Sequence, residues 1–225
     1  GGGACLEACR FGAVRGDYTI DPLACEGCGL CSRLCPCEAV IMEENHCGEW
    51  YVSDTAYGPM VHARLGIGEE NSGKLVSRIK EAARGIAGAE KLDYLIVDGP
   101  PGIGCPVFAA LAGSDLAVVV TEPTLSGIHD MERVIGVARH FGIPSVVVIN
   151  KYALDEENER SIERFCVREE VTVAGKIPFS RTVNESIVGA VPVVEYTDTG
   201  VTVEIRGIWR CISRNGGETG DAGDA

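Results

Sequence analysis

Positive charge is scarce in this chain of 225 residues, which has 20 Lys and Arg against 33 Asp and Glu and a net charge of −13. A nucleic-acid-binding surface needs basic residues that neutralise phosphates, so this composition argues against one. The sequence also lacks an apolar run near the roughly 18 residues of a membrane span. It opens without a signal peptide, which together with reduced thiols predicts a cytoplasmic location.

Cysteine, by contrast, is abundant: there are 11, and eight lie in the first 47 residues, namely Cys5, Cys9, Cys25, Cys28, Cys31, Cys35, Cys37 and Cys47. The run from Cys25 to Cys35 has the spacing C-x2-C-x2-C-x3-C and is followed by Pro36, as in bacterial ferredoxins with two clusters. In such a run three thiolates bind one 4Fe–4S cluster and the fourth binds the other. Because iron in these clusters takes soft thiolate ligands, the spacing predicts an iron–sulfur site.

An earlier half of the same pattern precedes this run. Cys5 and Cys9 are separated by three residues, like the last two cysteines of the full motif. By the crossover rule, one complete set of cluster ligands is formed by Cys9, Cys25, Cys28 and Cys31. The other site retains Cys5 and Cys35, since Gly2 stands where a further ligand is expected. The sequence therefore predicts one complete 4Fe–4S site and one partial site.

A disulfide framework and a zinc site are the alternative interpretations of these cysteines. Disulfides are typical of secreted chains, and zinc prefers two separated C-x2-C pairs, so both fit the pattern less well. Cys37, Cys47 and His46 fall outside the motif and are not assigned as ligands. Cys166 and Cys211 are interpreted as packing residues.

The rest of the sequence alternates apolar runs with helical patterns. Four runs have the character of buried strands: 92–98, 116–121, 145–150 and 171–177. Apolar residues at helical spacing predict a helix over 73–88 and a second one that includes Ile128 and Ala138 and ends at 140–142. Apolar strands separated by amphipathic helices predict a doubly wound α/β fold, with a mostly parallel sheet covered on both faces.

Two predicted strand ends carry residues suited to a nucleotide. Asp98 ends the first run, where a carboxylate can hold Mg²⁺ through water, and the N–H of Gly102 can face a phosphate. A simple turn after the strand explains the same residues. Asn150 and Lys151 end the third run, where N-K-x-D loops bind a purine. Since Ala153 occupies the Asp position, adenine is favoured over guanine.

Residues 68–75, GEENSGKL, nearly match the phosphate-binding pattern G-x4-G-K-S/T. Leu75 occupies the Ser/Thr position and has no oxygen for Mg²⁺, and the two glutamates would repel phosphate. We therefore interpret this segment as the start of a helix, with Asn71 or Ser72 as its cap.

Together these motifs resemble the MinD-like P-loop ATPases that carry an inserted two-cluster ferredoxin domain. The matching segments are residues 9–14, 25–36, 57–76, 98–106, 120–130 and 141–152. The resemblance implies that Mg-ATP closes a homodimer through Asp98 and Gly102, with Asp98 as a catalytic residue. It also implies a redox protein or a cluster acceptor as partner.

The family's phosphate loop, K-G-G-x-G-K-S/T, precedes the ferredoxin insert and does not occur in this sequence. The missing loop, Gly2 in a ligand position and a first residue that is glycine rather than methionine lead us to expect an N-terminally truncated chain. We expect such a chain to bind ATP poorly and to expose an edge of its sheet. The expected domains are a ferredoxin-like module over 1–50, the C-terminal part of the ATPase domain over 51–212, and a disordered acidic tail over 213–225.

Three functions are compatible with these motifs. The first is an iron–sulfur protein whose nucleotide-driven dimer switch is coupled to electron transfer or to cluster and metallocofactor assembly. The others are a plain ferredoxin-type electron carrier and a cluster scaffold, both without ATPase activity.

Cys105 is interpreted as a small buried residue at a helix start, or alternatively as a cluster contact at a dimer interface. Glu122, His129 and Asp130 lie where α/β ligands bind, or serve as caps.

Overall fold

The structure is a computed structural model that describes residues 3–22, 24–43, 48–66, 73–198 and 200–215. These residues form two compact units. The first contains the described residues up to Gly66 together with residues 78–95, and the second contains residues 73–77 and those from 96 onwards.

The cysteine-rich part of the first unit is built from a structural repeat of 26 residues. Helices α1 (Ala4–Ala8) and α2 (Leu30–Leu34) are both five residues long. Gly3 precedes α1 and Gly29 precedes α2, each with a φ of 69°, a conformation that favours glycine. Cys9 and Cys35 cap the two helices in extended conformations, so the two half-motifs of the sequence are also two copies of one local structure.

An antiparallel hairpin follows, which the sequence did not predict. Strands β1 (Gly48–Thr55) and β2 (Gly58–Leu65) pair in a continuous register. The ring of Tyr51 stacks on His62 at 5.4 Å between centroids, and the Ser53 hydroxyl lies 3.0 Å from Nε2 of His62. The strands of the hairpin mix charged and polar residues with apolar ones and are exposed to half-buried, so neither contains an apolar run as long as those that predicted the other strands.

The predicted helix over 73–88 is confirmed. It is α3 (Gly73–Glu90), and its apolar stripe is half-buried to buried along one face.

The second unit contains a parallel sheet in the order β3-β4-β5. Its strands are β3 (Ala117–Thr121), β4 (Ser145–Tyr152) and β5 (Thr172–Pro178). The connecting helices are α5 (Leu125–His140) and α6 (Glu156–Arg168), and the remaining ones are α4 (Cys105–Leu111), α7 (Arg181–Val188), α8 (Val193–Tyr196) and α9 (Val201–Asn215). The predicted α/β fold with a parallel sheet is confirmed, as are three of its strands and the helix that ends at residue 140.

The prediction of a buried strand over 92–98 is wrong. This segment has no regular secondary structure, and Ile96 in its middle is 78% exposed. A strand is stabilised by a hydrogen-bonded neighbour, and none of the strands in the described ranges pairs with it. At the same time β3 is an edge strand, and its side chain Val120 is 61% exposed. Val120 thus lies on an exposed face of β3, and the truncation from which an open sheet edge was expected stays a prediction.

The main core lies between one face of the sheet and the helices α5 and α6. Its fully packed members are Val119, Met131, Ile135, Val147, Ile149, Ile162, Phe165 and Cys166. These residues alternate along the strands and recur at helical spacing along the helices, as a core between a sheet and two helices requires. The interpretation of Cys166 as a packing residue agrees with its position here.

Helix α9 covers the other face of the sheet at β5. A Cβ added to Gly175 would lie 2.5 Å from Cγ1 of Ile208, so only glycine allows the helix to approach this closely. Helix α9 runs to Asn215, beyond residue 213 where the acidic tail was expected to begin, and residues 216–225 lie outside the described part of the chain. Within the described ranges, no helix combines the length and apolarity needed to cross a bilayer.

Replacing a core residue of α6 should destabilise the second unit strongly. Ile162 is fully buried, so Ile162→Ala is expected to lower the free energy of unfolding by about 2–5 kcal/mol, measured by urea denaturation. The matched control is Val167→Ala in the same helix. Because Val167 is 81% exposed, its truncation should change stability by less than about 0.5 kcal/mol. Equal effects of the two substitutions would contradict this packing.

Candidate functional site

A cavity of about 50 Å³ in the first unit brings the complete set of predicted cluster ligands together. All four of these cysteines line it: Cys9, Cys25, Cys28 and Cys31. Much of the remaining wall is apolar and includes Phe11, Val14, Ile20, Leu30 and Met42. Residues distant in sequence thus meet around one small space, with thiols as its main polar lining.

The arrangement of these thiols differs from that of a site for a single metal ion. In the described residues, no group of three or more His, Cys, Asp or Glu side chains converges on a point where one ion would bind. Structural zinc needs such convergence, because four ligands share one metal. In a 4Fe–4S cluster each thiolate binds its own iron, so the ligands surround the cluster instead. The lining of four thiols is the donor set that a 4Fe–4S cluster takes.

The backbone around Cys9 favours its thiolate, which is the form that binds iron. Hydrogen bonding from the N–H of Ala13 lowers the pKa of the Cys9 thiol, against the opposing effect of burial, and N–H groups of the intervening turn contribute as well. Gly12 in this turn has a φ of 64°. The turn thus directs successive N–H groups towards one sulfur.

Cys35 has the same environment in the second copy of the repeat. The N–H of Ala39 donates to Sγ of Cys35 at 3.3 Å and is the main reason that the pKa of this thiol is lowered. Cys5 is half-buried within α1. Neither Cys5 nor Cys35 lines the cavity described above.

Cys37, which the sequence did not assign as a ligand, is exposed and does not line this cavity. Cys47 and His46 lie outside the described residues, as does Gly2.

In the second unit, Lys151 and Glu122 form an ion pair between the carboxyl ends of two adjacent strands. Nζ of Lys151 lies 2.7 Å from Oε1 of Glu122, which directly follows β3. Asn150 and Tyr152 pair with residues of β5, but Lys151 between them does not. The β4–β5 ladder therefore has a bulge at Lys151, whose φ is 55°. Bulges of this kind re-aim side chains next to functional sites. Here the residue at the bulge, Lys151, is the one whose side chain forms the ion pair with Glu122 at the end of β3.

The loop after β4 is held by a charged cluster on α6 and β5. Oε2 of Glu159 accepts a hydrogen bond from the N–H of Ala153 at 3.1 Å, which fixes Ala153 at a φ of 67°. Oε1 of Glu159 lies 2.6 Å from Nζ of Lys176, and Glu163 approaches the same ammonium at 2.6 Å. The hydrogen bond with Lys176 lowers the pKa of Glu159, and the reciprocal bond with Glu159 raises that of Lys176.

Asp98 and Gly102 lie in the segment that precedes α4. Asp98 is exposed, and Gly102 has a φ of 84°, a left-handed conformation that suits glycine in a tight turn. Asp98 does not end a strand, which corrects the placement expected from the sequence. Cys105 does begin a helix, but its interpretation as a buried residue is wrong, because it is exposed.

The start of α3 lies against the start of α4. A Cβ added to Gly73 would lie 3.0 Å from the carbonyl oxygen of Cys105, so the two backbones are in close contact. The predicted helix start is therefore confirmed at Gly73, whereas the proposed caps Asn71 and Ser72 lie outside the described residues.

The cap of α5 is neither His129 nor Asp130. The Thr124 hydroxyl accepts a hydrogen bond from the N–H of Gly127 at 3.0 Å and caps the helix. His129 and Asp130 lie within the first turns and approach each other at 3.7 Å between Nδ1 and Oδ1.

Known proteins match this chain in sequence and in fold. No protein-family model matches it. An uncharacterized protein of Methanocaldococcus jannaschii is 35% identical over 159 residues, which cover 69% of this chain and 54% of that protein. An iron-sulfur cluster carrier protein of Pyrococcus horikoshii is 26% identical over 139 residues, 56% of this chain and 47% of the carrier. The chain thus spans about half the length of the curated relatives it matches.

A solved structure shows the same fold. It is the septum site-determining protein MinD complexed with Mg-ADP from Pyrococcus horikoshii OT3, with a TM-score of 0.55 and 18% identity, covering 69% of this chain and 61% of that one. The chain therefore has the α/β fold of MinD P-loop ATPases. Sequence relatives and fold together support its resemblance to that family.

Removing the charge of Glu159 should weaken the second unit in a way that depends on pH. A carboxyl whose folded pKa is lowered contributes stability above its unfolded value of about 4.3, and loses it as the pH falls through the folded pKa. We expect Glu159→Gln to lower the free energy of unfolding at pH 7 by about 1 kcal/mol, and the difference from wild type to shrink below pH ~4. Urea denaturation at a series of pH values measures both effects.

The pKa of Lys176, which is raised in the folded protein, makes stability depend on pH in the alkaline range. Its contribution to the free energy of unfolding is complete below the pKa of about 10.4 that lysine has in the unfolded chain, and is lost as the pH rises through the folded pKa.

Glu163→Gln is the control for Glu159→Gln, because it leaves Ala153 and the Glu159–Lys176 pair in place. If Glu163→Gln lowered the free energy of unfolding as much as Glu159→Gln does, the role assigned to Glu159 in holding the loop would be contradicted.

Proposed function

We propose that this protein is an iron–sulfur cluster carrier of the MinD-like type, whose cluster is its cargo. The observation that carries the proposal is the single cavity lined by four cysteines of the ferredoxin-type pattern. A relative bearing the name iron-sulfur cluster carrier protein supports the carrier function, and the fold supports the ATPase class.

The residues of the cavity suit the binding of a 4Fe–4S cluster. The thiolates of Cys9, Cys25, Cys28 and Cys31 would bind one iron each. Apolar side chains form much of the wall around the bound cluster, and the N–H groups around Cys9 balance the negative charge of its sulfur. Cys5 and Cys35 would supply two ligands of a second site. How many irons that site binds would depend on ligands other than these two.

Mg-ATP is the proposed nucleotide of the second unit. Asp98 would hold Mg²⁺ through water and act in hydrolysis, and the N–H of Gly102 would face the terminal phosphate. Asn150 and Lys151 lie at the carboxyl end of a parallel strand, where α/β proteins bind ligands, and would contact the adenine. Nucleotide binding would close a homodimer, and this closure would regulate delivery to a redox protein or a cluster acceptor.

A plain electron carrier is the second candidate. It is favoured by one observation, namely that every cysteine lining the cavity belongs to the first unit. Cluster binding would then need no residue of the α/β unit. The two functions differ in their response to nucleotide, since only the carrier of the MinD-like type should change its rate of cluster release with Mg-ATP.

Anaerobic reconstitution with iron and sulfide tests the proposed cluster site. We expect Cys9→Ala to abolish the visible absorption of the complete cluster, because one of its four irons loses its ligand. Cys37→Ala, which changes an exposed cysteine outside the cavity, should leave iron content and spectrum unchanged. Retention of the full spectrum by Cys9→Ala would rule out the proposed ligand set.

The base assignment is tested by completing the N-K-x-D pattern with Ala153→Asp. The left-handed backbone at this position is one that Asp adopts readily. In the N-K-x-D arrangement the new carboxylate accepts hydrogen bonds from N1–H and the N2 amino group of guanine, positions at which adenine has no N–H. The ratio of GTP to ATP affinity should therefore rise by about tenfold or more. Titration of fluorescent Mg-nucleotides measures that ratio, and Ala153→Ser is the control. An unchanged ratio in Ala153→Asp would place the base elsewhere.

A further inference from the structure

The four cysteines that line the cavity are not equivalent in their exposure. Cys25 and Cys28 are exposed, whereas Cys9 and Cys31 are half-buried. Two ligands therefore face solvent, and two lie within the folded part of the unit.

The half-buried pair is also the better anchored. The sulfur of Cys9 is surrounded by backbone N–H groups of the turn that follows it, chiefly that of Ala13, which is almost fully buried. Cys31 lies in α2, whose N–H and C=O groups are fixed by the helix and by the turn at Gly29. The backbone next to each of these two sulfurs is therefore held by local hydrogen bonds.

The exposed pair lies on a loop that is open to solvent. Residues 25–29 precede α2 and have no regular secondary structure. Gly27, between the two cysteines, has a φ of 61°, and no atom lies within 4 Å of the place where its Cβ would be. Leu30 and Met42, which also line the cavity, are themselves exposed. An incoming group can therefore approach the cavity from the side of Cys25 and Cys28.

We propose that the cluster leaves the protein by thiolate exchange at Cys25 and Cys28, while Cys9 and Cys31 hold it until the exchange is complete, and that the acceptor is an apo-protein with free cysteine thiols. This inference rests on the proposed carrier function and specifies its exit side. It assigns different roles to ligands that the sequence motif treats alike.

The exchange needs no oxidant or reductant. An acceptor thiol gives its proton to solvent, and its thiolate forms a bond to the iron held by Cys25. The bond between that iron and Sγ of Cys25 breaks, the electron pair stays on the sulfur, and the resulting thiolate takes a proton from solvent. The same exchange at Cys28, and finally at Cys9 and Cys31, replaces the remaining three bonds, so the cluster ends on four acceptor thiolates and every iron keeps its oxidation state.

Single serine variants of the reconstituted chain test the two roles. Serine is a poorer ligand for iron than thiolate. Cys25→Ser and Cys28→Ser should retain the cluster and transfer it to the apo form of a bacterial 4Fe–4S ferredoxin at least about tenfold faster than wild type. Cys9→Ser and Cys31→Ser should fail to retain it through gel filtration. Cys37→Ser, an exposed thiol outside the cavity, is the matched control and should transfer at the wild-type rate.

Alkylation of the wild-type protein gives a second readout that does not depend on variants. The loaded chain is mixed with apo-ferredoxin, samples are taken at intervals into excess iodoacetamide, and the modification of each cysteine is followed by mass spectrometry. Cys25 and Cys28 should be modified before Cys9 and Cys31. Simultaneous modification of all four, or retention of the cluster by Cys9→Ser but not by Cys25→Ser, would overturn the inference. A wild-type chain that takes up no cluster would instead overturn the proposed function itself.

Discussion

The interaction on which the cysteine-rich unit depends is the hydrogen bonding of backbone N–H groups to cysteine sulfur. It recurs after α1 and after α2, at Cys9 and at Cys35, with the same spacing to the donor residues Ala13 and Ala39. Sulfur carries the negative charge that iron binding requires, and a small apolar unit has few other groups to stabilise it. The short helices and the left-handed turns recur beside both sulfurs, but only that of Cys9 lines the cavity of the proposed cargo site.

The α/β unit depends instead on β4, the central strand of its sheet. Both neighbours pair with it, and its side chains supply the best-buried residues of the core. The bulge at its carboxyl end turns Lys151 towards Glu122, while Glu159 fixes the following loop at Ala153. A rigid strand that ends in a loop held by ion pairs is a suitable support for a bound base, because ligand contacts need fixed partners. That is why the proposed nucleotide function is assigned to this edge.

Much of this organisation could be predicted from short stretches of sequence. The ligand spacing of the cysteines, the apolar runs of β3, β4 and β5 and the stripe of α3 are local patterns, since each reflects a repeat of only a few residues along the chain. The sequence does not predict the hairpin of β1 and β2, because its strands are exposed to half-buried and carry charged and polar residues in place of a long apolar run. Residues 92–98 were assigned to a strand because apolar composition alone does not show whether a neighbouring strand is present to pair with it.

The sequence by itself determined the cysteine pattern, the apolar runs that form β3, β4 and β5, and the acidic character of this protein, because these properties are either composition or local periodicity. Only the tertiary structure decided which cysteines share a cavity and which of them face solvent. It also decided that Lys151 pairs with Glu122 and that Asp98 does not end a strand. The physical reason is that exposure, ion pairing and strand pairing depend on groups distant in the chain, whose approach is fixed by packing and not by spacing along the sequence.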